Sequence, residues 1–287
     1  MLMSQKPRRS ALYMPASNAR AIEKARTLEV DVVILDLEDA TAPDAKDAAR
    51  KQAVAEIAKG GFGEREVVLR VNALDTVWGA EDLAVAAGCG ADAVLLPKVS
   101  GPKALAEARA ALGDSGADLW AMIETVRGIV DLRAIAEAAE KYRLVTLVAG
   151  TNDLAKELRC RPGSDRAPLL GALGEIVLAA RLTGLVAIDG VCNTLTDADV
   201  VRAECEQGLR WGFDGKTLIH PAQVAVANRV FTPSDTEIAW SKQILDAFEQ
   251  PDNAGKGALQ LGGQMVELLH LDEARRILSI AQACGVA

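Results

Sequence analysis

Several short apolar stretches in this 287-residue chain give way to polar clusters that could do chemistry. They are Asp36-Leu37-Glu38-Asp39, Arg70-Val71-Asn72, Pro97-Lys98, Glu124-Thr125 and Gly150-Thr151-Asn152-Asp153, with Asp189, Asp214 and Lys216 in similar settings. Two carboxylates with retained waters suit Mg²⁺, so Glu124 and Asp153, ending adjacent predicted strands, form a candidate metal pair. Mn²⁺ accepts the same donors. Glu38 and Asp39 can hold water around the ion. The planar fork of Arg70 matches a substrate carboxylate bidentately. Lys98 and Asn152 join Arg70, Glu38 and Asp39 in the expected substrate lining. A ligand with a carboxylate beside a keto or hydroxyl oxygen would chelate the ion, which would polarise a carbonyl or stabilise an alkoxide.

Each residue also has a plainer role. An acid at a strand end can be the N-cap of the next helix, which applies to Glu38 and Asp39. Arg70 can be half of a structural ion pair. His220, in Ile-His-Pro, reads as a hydrogen-bonding structural residue, and the scattered cysteines read as small core residues.

The elements that must position these groups are short. Apolar runs at 11–14, 32–37, 67–71, 93–97, 119–123, 144–148, 185–188 and 212–217 have the length and continuity of strands buried on both faces. Between them, 19–28, 43–58, 80–88, 102–112, 129–141, 168–183 and 197–209 are rich in Ala, Glu, Lys, Arg and Leu and read as helices. A further helix is expected at 221–230. Eight alternations predict an α/β fold, a (β/α)8 TIM barrel, whose active site forms at the C-terminal strand ends. A doubly wound sheet is the alternative, but no G-x-G-x-x-G follows the first strand. The division expected is a barrel over 1–231 and a C-terminal lid and subunit-contact extension over 232–287. Within the extension, Ser234 with Glu237 forms a capping box for a helix at 236–249. Residues 251–263 read as loose and 272–283 as a final helix.

Composition narrows the function classes. Lys+Arg 32 against Asp+Glu 40 gives −8, and aromatics are 3%, which disfavours polyanion binding and base-stacking platforms. Two histidines and five scattered cysteines disfavour zinc and disulfide frameworks. No apolar run reaches membrane-spanning length, so a cytoplasmic enzyme with neither nucleic-acid nor membrane partners is expected.

Longer motifs carry a resemblance. Arg9-Ser-Ala-Leu-Tyr-Met-Pro15, Leu35-Asp-Leu-Glu-Asp-Ala40, Leu69-Arg-Val-Asn72, Leu74-Asp-Thr-Val-Trp-Gly79, Leu96-Pro-Lys-Val99 and Met122-Ile-Glu-Thr125 run in order. Gly150-Thr-Asn-Asp-Leu-Ala155, Ala187-Ile-Asp-Gly190, Gly212-Phe-Asp-Gly-Lys216 and Ile219-His-Pro-Ala-Gln223 continue the series. The chain resembles the citrate lyase β-subunit-like and malyl-CoA lyase group of the HpcH/HpaI aldolase superfamily. The resemblance implies a TIM barrel with a C-terminal lid in a homotrimer or homohexamer, and Mg²⁺ on Glu124 and Asp153. It implies Arg70 on the carboxylate of a 2-oxo acid. Tyr13, Arg20 and Lys24 would lie near the coenzyme A phosphates and pantetheine arm, with Ile219 and His220 on the same side. A family G-x-M-x-D segment, delivered across a subunit interface, supplies an acid/base. Here it reads Gly263-Gln-Met-Val-Glu267, so Glu267 takes that role with one methylene more. Asn152 replaces a more usual glutamate.

The activity this implies is Mg²⁺-dependent retro-Claisen cleavage of a 3-hydroxyacyl-CoA, such as malyl-, methylmalyl-, citramalyl- or citryl-CoA, into an acyl-CoA and a 2-oxo acid. Alternatives are a class II-type aldolase for a free hydroxy-keto acid, a CoA-thioester hydrolase, and a non-catalytic subunit of a lyase complex.

Overall fold

The computed structural model describes residues 6–286. Eight strands, β1 (Ser10–Pro15), β2 (Val32–Asp36), β3 (Glu66–Arg70), β4 (Ala93–Leu96), β5 (Asp118–Ile123), β6 (Leu144–Ala149), β7 (Val186–Asp189) and β8 (Gly215–Leu218), close into one barrel. All neighbours are parallel, and β8 returns to pair with β1. Each of the eight expected strands is present, because continuous Val/Ile/Leu runs are the signature of strands covered on both faces. The fold is a (β/α)8 barrel.

Inward-facing Ala11, Tyr13, Val32, Ile34, Val68, Leu95, Trp120, Met122, Val148 and Ile188 pack into one interior cluster. Above it, toward the C-terminal strand ends, inward positions turn polar. Asp36 and Arg70 are register partners. A filled interior with a polar rim leaves the mouth as the place for chemistry.

Helices follow the strands at Ala19–Ala25, Lys46–Lys59, Gly79–Cys89, Pro102–Leu112, Leu170–Thr183, Ala198–Trp211 and Val224–Phe231. The expected helix at 129–141 is instead three short pieces, Val126–Val130, Leu132–Glu137 and Ala139–Tyr142. Thr125 caps the first piece by accepting the Gly128 amide at 2.9 Å. A helix the patterning did not indicate, Thr151–Glu157, follows β6.

The chain divides into two compact units, with Arg8–Arg229 forming the barrel. The described part of the other is residues 6–7 and 230–286. Its helix Asp235–Glu249 starts at the Ser234/Glu237 capping box. Residues 251–263, expected to be loose, instead contain strand β9 (Ala258–Leu261), which pairs antiparallel with β10 (Gln264–Glu267). The turn is Gly262-Gly263 at φ 58° and 80°, the two positive values that a two-residue hairpin turn of the I′ class requires. Helix Leu268–Ala283 then packs Leu271 and Ala274 with Ile244 and Val266, flanked by Trp240 and Phe248.

Candidate active site

The mouth is organised by local backbone chemistry. Past β2, the Asp36 carboxylate accepts the amides of Glu38 at 2.8 Å and Ala40 at 3.1 Å, closing a tight turn. Lys46, buried at the start of its helix, donates to the carbonyls of Leu37 and Glu38 and to Asn72 Oδ1, all at 2.7 Å. These bonds fix the backbone that carries Glu38. Past β4, Lys98 takes φ 53°, a left-handed conformation uncommon outside glycine. Its amide donates to Glu124 Oε1 at 2.8 Å and its ammonium to Glu38 Oε1 at 2.7 Å. Past β6, Gly150 lets the chain approach closely, since a Cβ there would stand 2.3 Å from Glu124 Cβ. Asp153 follows in the first turn of Thr151–Glu157, its carboxylate toward Lys98.

Three carboxylates therefore surround one ammonium: Lys98 Nζ lies 2.7 Å from Glu38, 4.0 Å from Glu124 and 3.9 Å from Asp153. Arg70 stands on the other side of Glu38. Its Nε and Nη2 grip Asp36 at 2.7 and 2.6 Å, while Nη1 faces Glu38 Oε2 at 3.0 Å and Asp39 Oδ2 at 3.5 Å. Asp36, Glu38, Asp39, Glu124 and Asp153 outnumber Arg70, Lys98 and Lys46 by two charges. Burial, reinforced by the charge of Glu38, pushes the Glu124 carboxyl up to about 7. Burial also raises Glu38, against the pull of Arg70 and Lys98. Burial opposes the charge of Lys98, but its bond to Glu38 and the surrounding acids prevail and hold it at about 12.

Among the described residues, no group of three or more His, Cys, Asp or Glu side chains stands at metal-ligating spacing. Glu124 and Asp153 offer two oxygen donors beside a surplus of negative charge. That donor set fits a hard divalent cation that keeps much of its water.

The expected residues are distributed unevenly. Glu38, Asp39, Arg70, Lys98, Glu124 and Asp153 meet at the mouth. Arg70, whose fork was expected to grip a substrate carboxylate, has its Nε and Nη2 bound to Asp36, its register partner, and Nη1 toward the mouth. Asn152 is exposed and exchanges amide hydrogen bonds with Asn193 at 3.2 and 2.9 Å. Arg20 and Lys24 sit one turn apart on the exposed face of Ala19–Ala25, with no ion pair among the described residues. Ile219 is exposed at the end of β8, and His220 Nδ1 accepts the Ala222 amide at 3.2 Å as the cap of the next turn. Tyr13, expected along a coenzyme arm, lies among the groups of the mouth. It is 8% exposed, inside the barrel, with Arg70 over its ring at 4.7 Å. Glu267 belongs to the smaller unit, where it ends β10 and its amide donates to His270 Nδ1 at 2.9 Å.

Asp189 and Lys216 do not reach the mouth. They are register partners, both fully buried, and Lys216 Nζ meets Asp189 at 3.0 Å and Glu204 of the outer helix Ala198–Trp211 at 3.2 Å. Arg166 completes this cluster at 2.8 Å. Asp214 precedes β8 and pairs with Arg181 at 2.9 Å. Sequence reasoning missed the roles of Asp36 and Lys46. Aligning the ends of β2 and β3 would have set Asp36 beside Arg70.

Residues 9–221 match the family model described as HpcH/HpaI aldolase/citrate lyase. Over 277 residues the chain is 47% identical to the (3S)-malyl-CoA thioesterase of Cereibacter sphaeroides (strain KD131 / KCTC 12085), covering 96% of this chain and 95% of that one. It is 32% identical to the citrate lyase subunit beta of Escherichia coli (strain K12), covering 97% and 95%. Among solved structures, CitE from Mycobacterium tuberculosis in complex with magnesium, acetoacetate and coenzyme A superposes with a TM-score of 0.79 at 30% identity, covering 99% and 100%.

Proposed function

This chain belongs to the HpcH/HpaI aldolase/citrate lyase family, and on that footing we propose that it hydrolyses the coenzyme A thioester of a short 3-hydroxy dicarboxylic acid of the malyl class. The observation that carries the reading is the ring of Glu38, Glu124 and Asp153 around Lys98 at the barrel mouth. Glu124 and Asp153 would hold Mg²⁺ or Mn²⁺. The ion would supply charge balance and polarisation of a chelating oxygen. Arg70 Nη1 meets the carboxylate end of the acid, and Lys98 and Asp39 border it. Glu38, whose buried Oε2 makes no aligned hydrogen bond, holds water beside the cation.

Arg20 and Lys24 are exposed cations suited to the phosphates of coenzyme A. Because β8 pairs with β1, Ile219 and His220 leave the barrel beside the strand that leads to them. Glu267 serves as the acid/base, brought from a neighbouring subunit of a homotrimer or homohexamer by the extension at 232–287 acting as a lid.

The 47% identity to a thioesterase favours hydrolysis. The citrate lyase relative favours a second reading, carbon–carbon cleavage to an acyl-CoA and a 2-oxo acid. Incubating the protein and Mg²⁺ with malyl-CoA separates them. Hydrolysis releases free thiol and malate without glyoxylate. Cleavage releases glyoxylate and acetyl-CoA without thiol. Turnover of neither kind, with malyl-, methylmalyl- or citramalyl-CoA, would sink the thioester reading.

A further inference from the structure

Tyr13 carries a buried hydroxyl with no hydrogen-bond partner among the described residues. Leaving such a group unpaired costs on the order of 1–3 kcal/mol, so a native site that retains one calls for a partner outside the chain. The groups that act on this hydroxyl identify where the partner would lie. After burial, the charges felt by Tyr13 are those of Arg70, Asp36, Glu124 and Glu38, which are the groups of the mouth. The ring lies against the Arg70 guanidinium at 4.7 Å, which places Tyr13 on the floor beneath it.

Among the neighbouring acceptors, Asp36 and one oxygen of Glu124 are already engaged. Asp36 takes two bonds from Arg70 and two from backbone amides. Glu124 Oε1 takes the Lys98 amide. The second buried atom here without an aligned hydrogen bond is Glu38 Oε2, close to Arg70 Nη1. The missing piece is thus an oxygen that can accept from a phenol while standing next to a guanidinium. A carboxylate has that chemistry.

We propose that the Tyr13 hydroxyl is a specificity-determining donor to the carboxylate of the small acid fragment, completing the contact that Arg70 Nη1 begins. The inference rests on the functional reading above and replaces the expected placement of Tyr13 along the coenzyme A arm. A phenylalanine would leave an apolar floor of the same shape and favour fragments without the acid group.

The test is calorimetric titration of malate and glyoxylate, each with Mg²⁺, and of coenzyme A alone, into wild type and Tyr13→Phe, with thermal melts of both. The expected result is an acid affinity weakened about 10- to 100-fold, the weight of a hydrogen bond to a charged group. Coenzyme A affinity stays within about twofold, and the melting temperature is unchanged or raised because an unpaired hydroxyl has been removed. Unchanged acid affinity in Tyr13→Phe overturns the inference while leaving the functional reading in place. A loss confined to coenzyme A overturns it in favour of the arm placement. If wild type binds neither acid, the functional reading fails and this inference fails with it.

Discussion

Arg70 and Asp36 are cross-strand register partners at the C-terminal ends of β3 and β2, and their side chains share two hydrogen bonds of 2.7 and 2.6 Å. Asp36 is 1% exposed. The same carboxylate closes the turn that carries Glu38. One acid therefore orients both the arginine and the loop acid that face the mouth.

Replacing Asp36 with alanine removes a partner from a buried ion pair and leaves a buried guanidinium without its main counter-charge. The expected loss is about 3–5 kcal/mol of unfolding free energy, measured by urea denaturation. A loss below about 1 kcal/mol would mean that Arg70 finds equivalent compensation elsewhere.

The Glu124 carboxyl links stability to pH. Burial lifts it to about 7 from an ordinary value of 4.5, so the folded chain binds more protons than the unfolded chain between those values. Without metal, stability contributed by this group is intact below pH 4.5 and falls as pH rises toward 7, by up to about 3 kcal/mol. Chelator-treated protein should become easier to denature across that window, and Glu124→Gln should flatten the dependence. Added Mg²⁺ should reverse the loss above pH 7, since it binds the ionised form.

Gly150→Ala tests the packing behind the site. The new Cβ would meet Glu124 Cβ at 2.3 Å and Oε2 at 2.6 Å, far inside contact distance. Glu124 must move, and a displacement near 1 Å can cost on the order of 100-fold in rate. Mg²⁺ affinity and turnover should fall together. Wild-type values for both would show that the backbone yields instead.

The barrel was legible because its eight strands are apolar runs bounded by turn chemistry, and the acids at 38, 124 and 153 stand where those runs end. Other features depended on contacts between distant segments. The fork of Arg70 looked available because the alignment of β2 with β3, which brings Asp36 against it, is not written in either segment alone. The motif of Tyr13 says nothing of its burial, which follows from strand alternation turning it into the barrel with Ala11. Asp189 and Lys216 sit at strand positions facing outward, under the helix that supplies Glu204. Four-residue strands around Gly262-Gly263 are too short for a period-2 signal to stand out, so the hairpin read as loose chain.

Lys98 places a positive charge among the same carboxylates that a divalent cation would use. Lys98→Met removes that repulsion, and Mg²⁺ should bind about 10-fold more tightly, a gain near 1.4 kcal/mol. Turnover should fall, because Glu38 and the acid substrate both lose a cation. Weaker Mg²⁺ binding in Lys98→Met would show instead that the ammonium supports the ligand geometry.

The direct measurement is calorimetric titration of Mg²⁺ into chelator-treated wild type and into the Glu124→Gln/Asp153→Asn double variant at pH 8. Wild type should take up one ion per chain, and the double variant should lose about 100-fold or more in affinity, as expected when two charged ligands are neutralised. Equal affinity in the two proteins, or no uptake by wild type, would contradict the placement of the cation between Glu124 and Asp153.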